Sequence, residues 1–150
     1  MPAPYCLAMV LCDSVHRDLT TGKFTVLGTF STLGAQEFPA DVRFAVYYAV
    51  TDGLGSIELR LRLVDAACGI ASAVGEQEGV VFQASATLEL SDPLVVVEGS
   101  VGFQTVIPAK GLYHCELWAG DELLMSRRLL ASLVGNPQEE DKDDKGASDE

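Results

Sequence analysis

Hydrophobic residues occupy every second position along two stretches of this chain. The first stretch carries Val42, Phe44, Val46, Tyr48 and Val50, and the second carries Ile57, Leu59, Leu61 and Leu63. In the second stretch the alternate positions are Glu58, Arg60 and Arg62. A period of two with charged residues between is typical of a β-strand that buries one face and exposes the other to water. The chain is therefore expected to form sheets.

Turn residues interrupt the hydrophobic runs about every ten positions, which favours consecutive short strands over strands that alternate with helices. The predicted strands are Tyr5–Cys12, Lys23–Phe30, Val42–Val50, Ile57–Val64, Ile70–Val74, Val80–Leu90, Leu94–Val106, Leu112–Trp118 and Leu123–Leu130. Residues 121–134 also fit a helix, but Arg127 interrupts the apolar stripe of that helix, so we predict a strand. The pattern predicts an all-β fold, a two-sheet antiparallel sandwich of about eight or nine strands with Greek-key or jelly-roll-like connections.

Two long strands in the second half of the chain have predictable faces. On the first, the inward residues are Val80, Phe82, Ala84, Ala86, Leu88 and Leu90, and the outward residues are Val81, Gln83, Ser85, Thr87 and Glu89. On the second, Val95, Val97, Val101 and Phe103 are expected to face the core. Gly99 and Gly102 are predicted bulge sites, since glycine inside a strand often marks a bulge.

Length and charge limit the organisation and the partners. The chain has 150 residues, a length that fits one sandwich domain at residues 1–135. Its net charge is −12. Residues 136–150 contain seven acids against Lys142 and Lys145 and are expected to form a disordered acidic tail. Because both parts are acidic, nucleic acid and anionic membranes are disfavoured as partners.

The cysteines and the N-terminal segment bear on location. Cys6, Cys12, Cys68 and Cys115 show no paired spacing, and Cys6 and Cys12 cannot bond if they share one extended strand. No basic residue precedes the apolar run Tyr5–Cys12, which argues for a buried strand instead of a secretory signal or a membrane span. We therefore predict reduced thiols and a cytoplasmic location.

Candidate chemistry is sparse. Cys12, Asp13, His16 and Asp18 cluster near one turn, but a metal site needs further ligands, and cap or turn roles explain the acids better. His114 and Cys115 should point to opposite faces of their strand. No set of nucleophile and base stands out, so we expect a non-enzymatic protein with no catalytic residues, no metal and no cofactor.

The most unusual feature is the low charge of residues 79–109, where Glu89, Asp92 and Glu98 are the only charged side chains. Natural sheets usually protect exposed faces and edges with charged residues, so this segment is expected to be covered by another chain or by the C-terminal end of the same chain. We predict a protein-association or scaffold module whose partner is itself, as a homo-oligomer, or another protein. The predicted partner-binding residues are Val81, Gln83, Ser85, Thr87, Val96 and Gln104.

An alternative prediction is a module that binds a small ligand or a carbohydrate. His114, Glu116 and Trp118 alternate along one strand and should project from the same face. An exposed tryptophan beside a carboxylate can stack on a sugar ring and hydrogen-bond to it, although a lone tryptophan is more often a packing residue.

Two groups of motifs resemble known proteins. The opening carries Leu11-Cys12-Asp13, Gly22-Lys23 and Leu27-Gly28, followed by Phe38-Pro39. It resembles a family of small, uncharacterised bacterial proteins. Residues 108–113, Pro-Ala-Lys-Gly-Leu-Tyr, with Gly120-Asp121 after them, look like a hairpin common in bacterial β-sandwich modules. The resemblance implies a sandwich fold and transfers no catalytic residue and no ligand.

Overall fold

The computed structural model describes residues 4–68 and 79–135 and shows two β-sheets packed face to face. The strands are β1 (Tyr5–Arg17), β2 (Phe24–Thr29), β3 (Thr32–Ala35), β4 (Ala40–Thr51), β5 (Gly55–Asp65), β6 (Val80–Leu90), β7 (Val97–Ile107), β8 (Gly111–Ala119) and β9 (Glu122–Leu133). A 3₁₀ turn, Ala66–Cys68, follows β5. Among the described residues no helix is long and apolar enough to cross a membrane.

The strand order is β2-β1-β4-β7 in the four-stranded sheet and β3-β9-β8-β5-β6 in the five-stranded sheet. Neighbouring strands are antiparallel, except that β3 runs parallel to β9. Strands β1-β4-β7 stand in the order A-B-E of an immunoglobulin sandwich, and β6-β5-β8-β9 stand in the order C′-C-F-G. The Greek-key form of the predicted sandwich is therefore the one that the connections adopt.

The alternating stretches form the strands predicted for them. Val80–Leu90 is a strand with the predicted bounds, and 122–133 is a strand and not a helix. Prediction missed β3, which has only four residues and no alternating pattern. It also ended β1 at Cys12, whereas the strand continues to Arg17 because β2 pairs with its polar second half. The predicted strand Ile70–Val74 and the predicted acidic tail lie outside the described residues.

The core lies between the two sheets and consists of the inward faces of the alternating strands. The largest fully buried apolar side chains include Met9, Phe44, Leu63, Tyr113 and Leu117. The Phe44 ring meets Phe30 and Phe103 edge-on, with ring centroids 5.4 and 4.3 Å apart. Aromatic pairs in this geometry add about 0.5–1.5 kcal/mol beyond the burial of their area.

The sequence motif at residues 108–113 has a structural role. The Tyr113 hydroxyl donates a hydrogen bond of 2.7 Å to the carbonyl oxygen of Ala109, four residues earlier. Gly111 between them has a φ of 141°, a backbone conformation that favours glycine. The motif therefore fixes the turn that leads into β8, in the manner of the tyrosine corner of immunoglobulin-like domains.

Free thiols lie on both sheets. Cys6, Cys12 and Cys115 are buried and unbonded, and Cys6 and Cys12 share strand β1, as predicted. The Cys12 thiol donates to the carbonyl oxygen of Ala45 at 3.5 Å. Burial is the main reason that the pKa of each of these three thiols lies above its ordinary value.

The two predicted bulges of β7 are absent, because β7 pairs with β4 over its whole length without a register shift. Gly99 instead makes room for a side chain of the core. A Cβ atom at Gly99 would lie 2.5 Å from the hydroxyl oxygen of Tyr48, whereas a Cβ atom at Gly102 would meet nothing within 4 Å.

These two glycines give a matched pair of stability predictions. Gly99→Ala is expected to lower the free energy of unfolding by about 1–3 kcal/mol, because Tyr48 must shift within a packed core. Gly102→Ala is expected to raise it by up to about 0.5 kcal/mol, since alanine loses less backbone entropy on folding. Urea unfolding measures both values. Equal effects of the two substitutions would contradict this account of Gly99.

Candidate functional site

The charge-poor segment forms one side of the sandwich, not one face of a sheet. Strand β6 is an edge strand of the five-stranded sheet, and β7 is an edge strand of the four-stranded sheet. Residues 91–96 between them carry the chain from one sheet to the other. This crossover is fixed at Pro93, whose carbonyl oxygen accepts hydrogen bonds from the Asp52 amide at 2.9 Å and the Thr51 hydroxyl at 3.1 Å.

The six predicted partner-binding residues are consequently separated. Gln83, Ser85 and Thr87 lie on the outer face of β6, opposite Arg62, Arg60 and Glu58 of β5. Val81 sits at a register shift and packs partly on the core. Val96 precedes β7, and Gln104 lies on β7, where it accepts a hydrogen bond of 3.3 Å from Arg43. The expectation of one continuous face was wrong because β6 and β7, although consecutive in the chain, belong to different sheets.

The β6 and β7 edges are held together by inward side chains. The rings of Phe82 and Phe103 stack with centroids 4.0 Å apart and an interplanar angle of 12°. The Thr105 hydroxyl donates to the carbonyl oxygen of Val81 at 3.1 Å. We refer to these two strands together as the β6/β7 edge.

The β6/β7 edge lacks the usual protection of an exposed sheet edge. Each strand has 11 residues, contains no proline, and carries a single charged residue, Glu89 on β6 and Glu98 on β7. No strand in residues 4–68 and 79–135 pairs with the outer side of either one. The side chains of Ser85, Ala86 and Thr87 are exposed. Long, flat edges with few charges are the ones that accept a further strand.

The charge of Glu98 is partly engaged within the domain. The Tyr47 hydroxyl donates a hydrogen bond to its carboxylate. Burial, together with this carboxylate, raises the pKa of Tyr47 to about 12. The Tyr47 ring also packs against Phe24, 5.6 Å away between centroids. Glu98 therefore belongs to a local cluster on the outer face of the four-stranded sheet.

The opposite side of the sandwich is built differently. Its edge strands, β2 and β3, have only six and four residues, and short edge strands resist pairing with other chains. Beyond them, Arg127 spans the gap between the sheets and donates from Nε to the carbonyl oxygen of Met9 at 2.9 Å. An open groove of about 490 Å³ runs along this contact, with Arg127 and Arg128 on its wall. On this side of the sandwich, the Met9 carbonyl oxygen is therefore already hydrogen-bonded within the domain.

The alternative ligand site lies on the outer face of the five-stranded sheet. His114, Glu116 and Trp118 all project from that face of β8, as predicted, and Cys115 projects into the core. Trp118 is only 6% exposed, however, and Glu116 is fully buried. The expectation of an exposed tryptophan was therefore wrong, and the ring offers no open stacking surface for a sugar.

Glu116 and Trp118 are joined by a hydrogen bond that sequence reasoning did not anticipate. The Trp118 indole Nε1 donates to Glu116 Oε1 at 3.1 Å. The second carboxylate oxygen, Oε2, is buried and has no hydrogen-bond partner among the described residues. A buried carboxylate of this kind lowers the stability of the fold unless neighbouring charges compensate it.

Arg62 supplies the neighbouring charge. It is 2% exposed, lies opposite Glu116 on the adjacent strand, and places its guanidinium carbon 5.9 Å from the centroid of the Trp118 ring. Its Nε donates to the side chain of Gln83 at 3.0 Å. Burial, followed by the nearby charge of Arg60, lowers the pKa of Arg62, and the Glu116 carboxylate opposes that shift. The alternation of charged residues on β5 predicted a water-exposed Arg62, and this part of the prediction was wrong.

The cluster near the first turn has local structural roles. The Asp18 carboxylate accepts hydrogen bonds from the amides of Thr20 and Thr21 at 2.7 and 3.1 Å, which lowers the pKa of Asp18. In the part of the chain that the structure describes, three or more histidine, cysteine or acidic side chains do not come together as a candidate metal site.

Comparisons with known proteins concern the fold and the family. A β-glucosidase from Listeria innocua is similar to this chain with 12% identity and a TM-score of 0.39 over 88% of this chain, which spans only 17% of the enzyme. An immunoglobulin-like protein from Pseudomonas aeruginosa has 12% identity and a TM-score of 0.43, and the match covers 87% of this chain and 97% of that one. Both likenesses are too distant to transfer an activity or a ligand.

A search of the curated proteins finds no match. The family model that does match describes a family of unknown function, DUF6941, and it aligns with residues 7–132. Because the match extends over nearly all of the sandwich, from β1 to β9, the chain belongs to this family of unknown function.

Proposed function

We propose that this domain is a non-enzymatic protein-association module that binds its partner by strand addition at the β6/β7 edge. The observation that carries the proposal is the pair of 11-residue edge strands with one charged residue each. In strand addition, main-chain hydrogen bonds give the affinity and alternate side chains give the specificity. Both requirements are met by an extended strand whose outer residues are small and polar.

The asymmetry of the sandwich supports this choice of side. The β2 and β3 edges are short, and Arg127 engages a main-chain carbonyl next to them. The strands of the β6/β7 edge have 11 residues each, and the Thr105 hydroxyl engages the Val81 carbonyl near the start of β6, away from Ser85. Each new main-chain hydrogen bond contributes about 0.5–1.5 kcal/mol net, so a strand added along several residues of this edge gains enough energy for specific binding.

The ligand-binding alternative has weaker support. Its central residue, Trp118, already uses its indole N–H on Glu116 and is almost entirely buried. The three buried free thiols, Cys6, Cys12 and Cys115, favour a reducing compartment such as the cytoplasm as the place of action.

Site-specific photocrosslinking tests the proposal. A photoreactive amino acid is placed at Ser85 on β6 or at Ser100 on β7, in cells that naturally produce this chain. Controls carry it at Leu19, which is 98% exposed in a turn, and at Asp121, exposed in another turn. We expect a discrete protein adduct from the edge positions and none from the turns. Equal labelling at all positions, or no adduct at the edge, would contradict the proposal.

The structure also guides the choice of disrupting variants. Lysine at Gln83 or Ser85 would stand opposite Arg62 or Arg60 of the same sheet, so loss of binding could reflect loss of folding. Thr87 stands opposite Glu58, and Ser85 stands opposite Arg60. Ser85→Glu therefore adds a charge to the edge next to the opposite charge of Arg60 and serves as the disrupting variant, whereas Thr87→Lys adds a charge next to Glu58 and serves as a control for folding.

A further inference from the structure

We infer that the strand added at β6 is β6 of a second copy of this chain, paired antiparallel about a two-fold axis at Ser85. This inference rests on the proposed function and names its partner. A two-fold interface must be self-complementary, because the same surface meets itself. The sequence of β6 and the position of this strand in the sheet both meet that condition.

The residues of β6 are nearly palindromic in character around Ser85. Antiparallel pairing about this residue brings together residues of like character on each side of the axis, as far as Phe82 and Leu88. The pairs are Ala84 with Ala86, Gln83 with Thr87 and Phe82 with Leu88, and the regular pairing ends at the register shift next to Val81. Each pair joins residues separated by an even number of positions, so outer side chains meet outer side chains and inner ones meet inner ones.

The matched faces have the chemistry that each side of the sheet requires. On the outer face, Gln83, Ser85 and Thr87 would form hydrogen-bonding pairs, and Ser85 would meet its own copy on the axis. On the inner face, Phe82 and Leu88 already pack partly on the core. Ala86 is exposed although it points inward, so the second copy would cover it. Cross-strand pairs of this kind stabilise a sheet.

Charge favours the same register. The one charged residue of β6, Glu89, would stand near Val81 of the second copy and not opposite its own copy. No like charges therefore face each other across the axis. Identical charges directly opposite would oppose pairing, and any register that brings Glu89 near Glu89 would pair only one end of the strand.

Strand β7 is less suited to self-pairing. It contains Gly99 and Gly102, and the residue at its centre is Gly102. Pairing about Gly102 would leave no side-chain contact on the axis, and strands with glycine in their interior specify register weakly. We therefore assign the self-association to β6, which would join two five-stranded sheets into one continuous sheet.

A single strand pair makes a small interface, so the dimer is expected to depend on concentration. Interfaces below about 1,200 Å² are typical of weak complexes. Sedimentation or light scattering over a range from about 1 μM to about 1 mM covers the relevant dissociation constants. We expect the mass of the wild-type protein to rise from one copy to two across this range.

Ser85→Glu is the main test. The new carboxylate would lie beside Arg60 of its own sheet but directly opposite its own copy across the axis, so we expect the dissociation constant to rise about tenfold or more. Thr87→Lys is the matched control, since it adds a charge to the same face of the same strand without meeting itself, and it should dimerise as the wild type does. Mixing Ser85→Glu with Ser85→Lys should restore a dimer that contains one copy of each.

Circular dichroism and thermal unfolding confirm that each variant is folded. A wild-type monomer at every concentration, or equal weakening by Ser85→Glu and Thr87→Lys, would overturn the inference. A Ser85 photocrosslink to a different protein, with this chain monomeric, would also overturn it but would support strand addition at this edge. If neither Ser85 nor Ser100 gives an adduct, the proposed function fails as well.

Discussion

Replacing Trp118 by phenylalanine is expected to lower the free energy of unfolding by about 2–4 kcal/mol. The substitution removes the indole N–H that donates to Glu116 Oε1 at 3.1 Å. Glu116 is fully buried, and its other oxygen already has no hydrogen-bond partner among the described residues. Phenylalanine retains most of the ring contact, so the main cost comes from a buried carboxyl group that has lost its indole hydrogen bond.

A double-mutant cycle tests this explanation. Glu116→Met removes the carboxyl group, and in that background Trp118→Phe no longer deprives a buried Glu116 of its indole partner. We expect the double variant to be more stable than the sum of the two single effects predicts, by about 1–3 kcal/mol. Chemical unfolding of the four proteins gives this value. Simple additivity would show that Trp118 contributes by packing alone.

Alkaline pH is expected to destabilise the domain through Cys115. This thiol is fully buried at the centre of β8. Burial, and secondarily the charge of Glu116, raises its pKa from 9.0 to about 12. The folded state therefore keeps a proton that the unfolded chain loses above pH 9.0. The contribution of this proton to stability is complete below that pH and is lost as the pH rises towards about 12, at about 1.4 kcal/mol for each pH unit.

The measurement is the free energy of unfolding at neutral pH and at intervals between the two pKa values, with a reductant present. Cys115→Ala should cost about 1 kcal/mol at neutral pH because a sulfur atom leaves the core, but its stability should fall less steeply at high pH. Tyr47→Phe is a useful comparison, since the pKa of Tyr47 is also raised to about 12, from 10.0. Parallel pH profiles for the wild type and Cys115→Ala would rule out the thiol as the cause.

Local pattern predicted most of the fold. Alternation from Val42 to Val50 and from Ile57 to Leu63 identified β4 and β5, because a strand between core and water must alternate. Strand β3 was missed, since its four residues gain their stability from parallel pairing with β9, far away in sequence. Long-range pairing of this kind leaves no periodic signal in so short a segment.

For the candidate sites, too, the sequence predicted one part and the tertiary structure decided the other. Low charge in residues 79–109 was visible in the sequence, but its meaning changed once β6 and β7 proved to be the edges of two different sheets. Arg62 and Trp118 were expected to face water because they alternate with the inward residues of β5 and β8. Both are buried. The alternation along a strand determines the face of the sheet from which a side chain projects, but it does not determine whether other residues cover that face.

The sequence alone determined the class of fold, the faces of the long strands and the low charge along β6 and β7, because these follow from the chemistry of neighbouring residues. Only the tertiary structure decided that the two charge-poor strands form one side of the sandwich and that Glu116, Trp118 and Arg62 meet in a buried group. Both outcomes depend on which strands become neighbours. That choice is made by packing two whole sheets over one core, and no short stretch of sequence contains it.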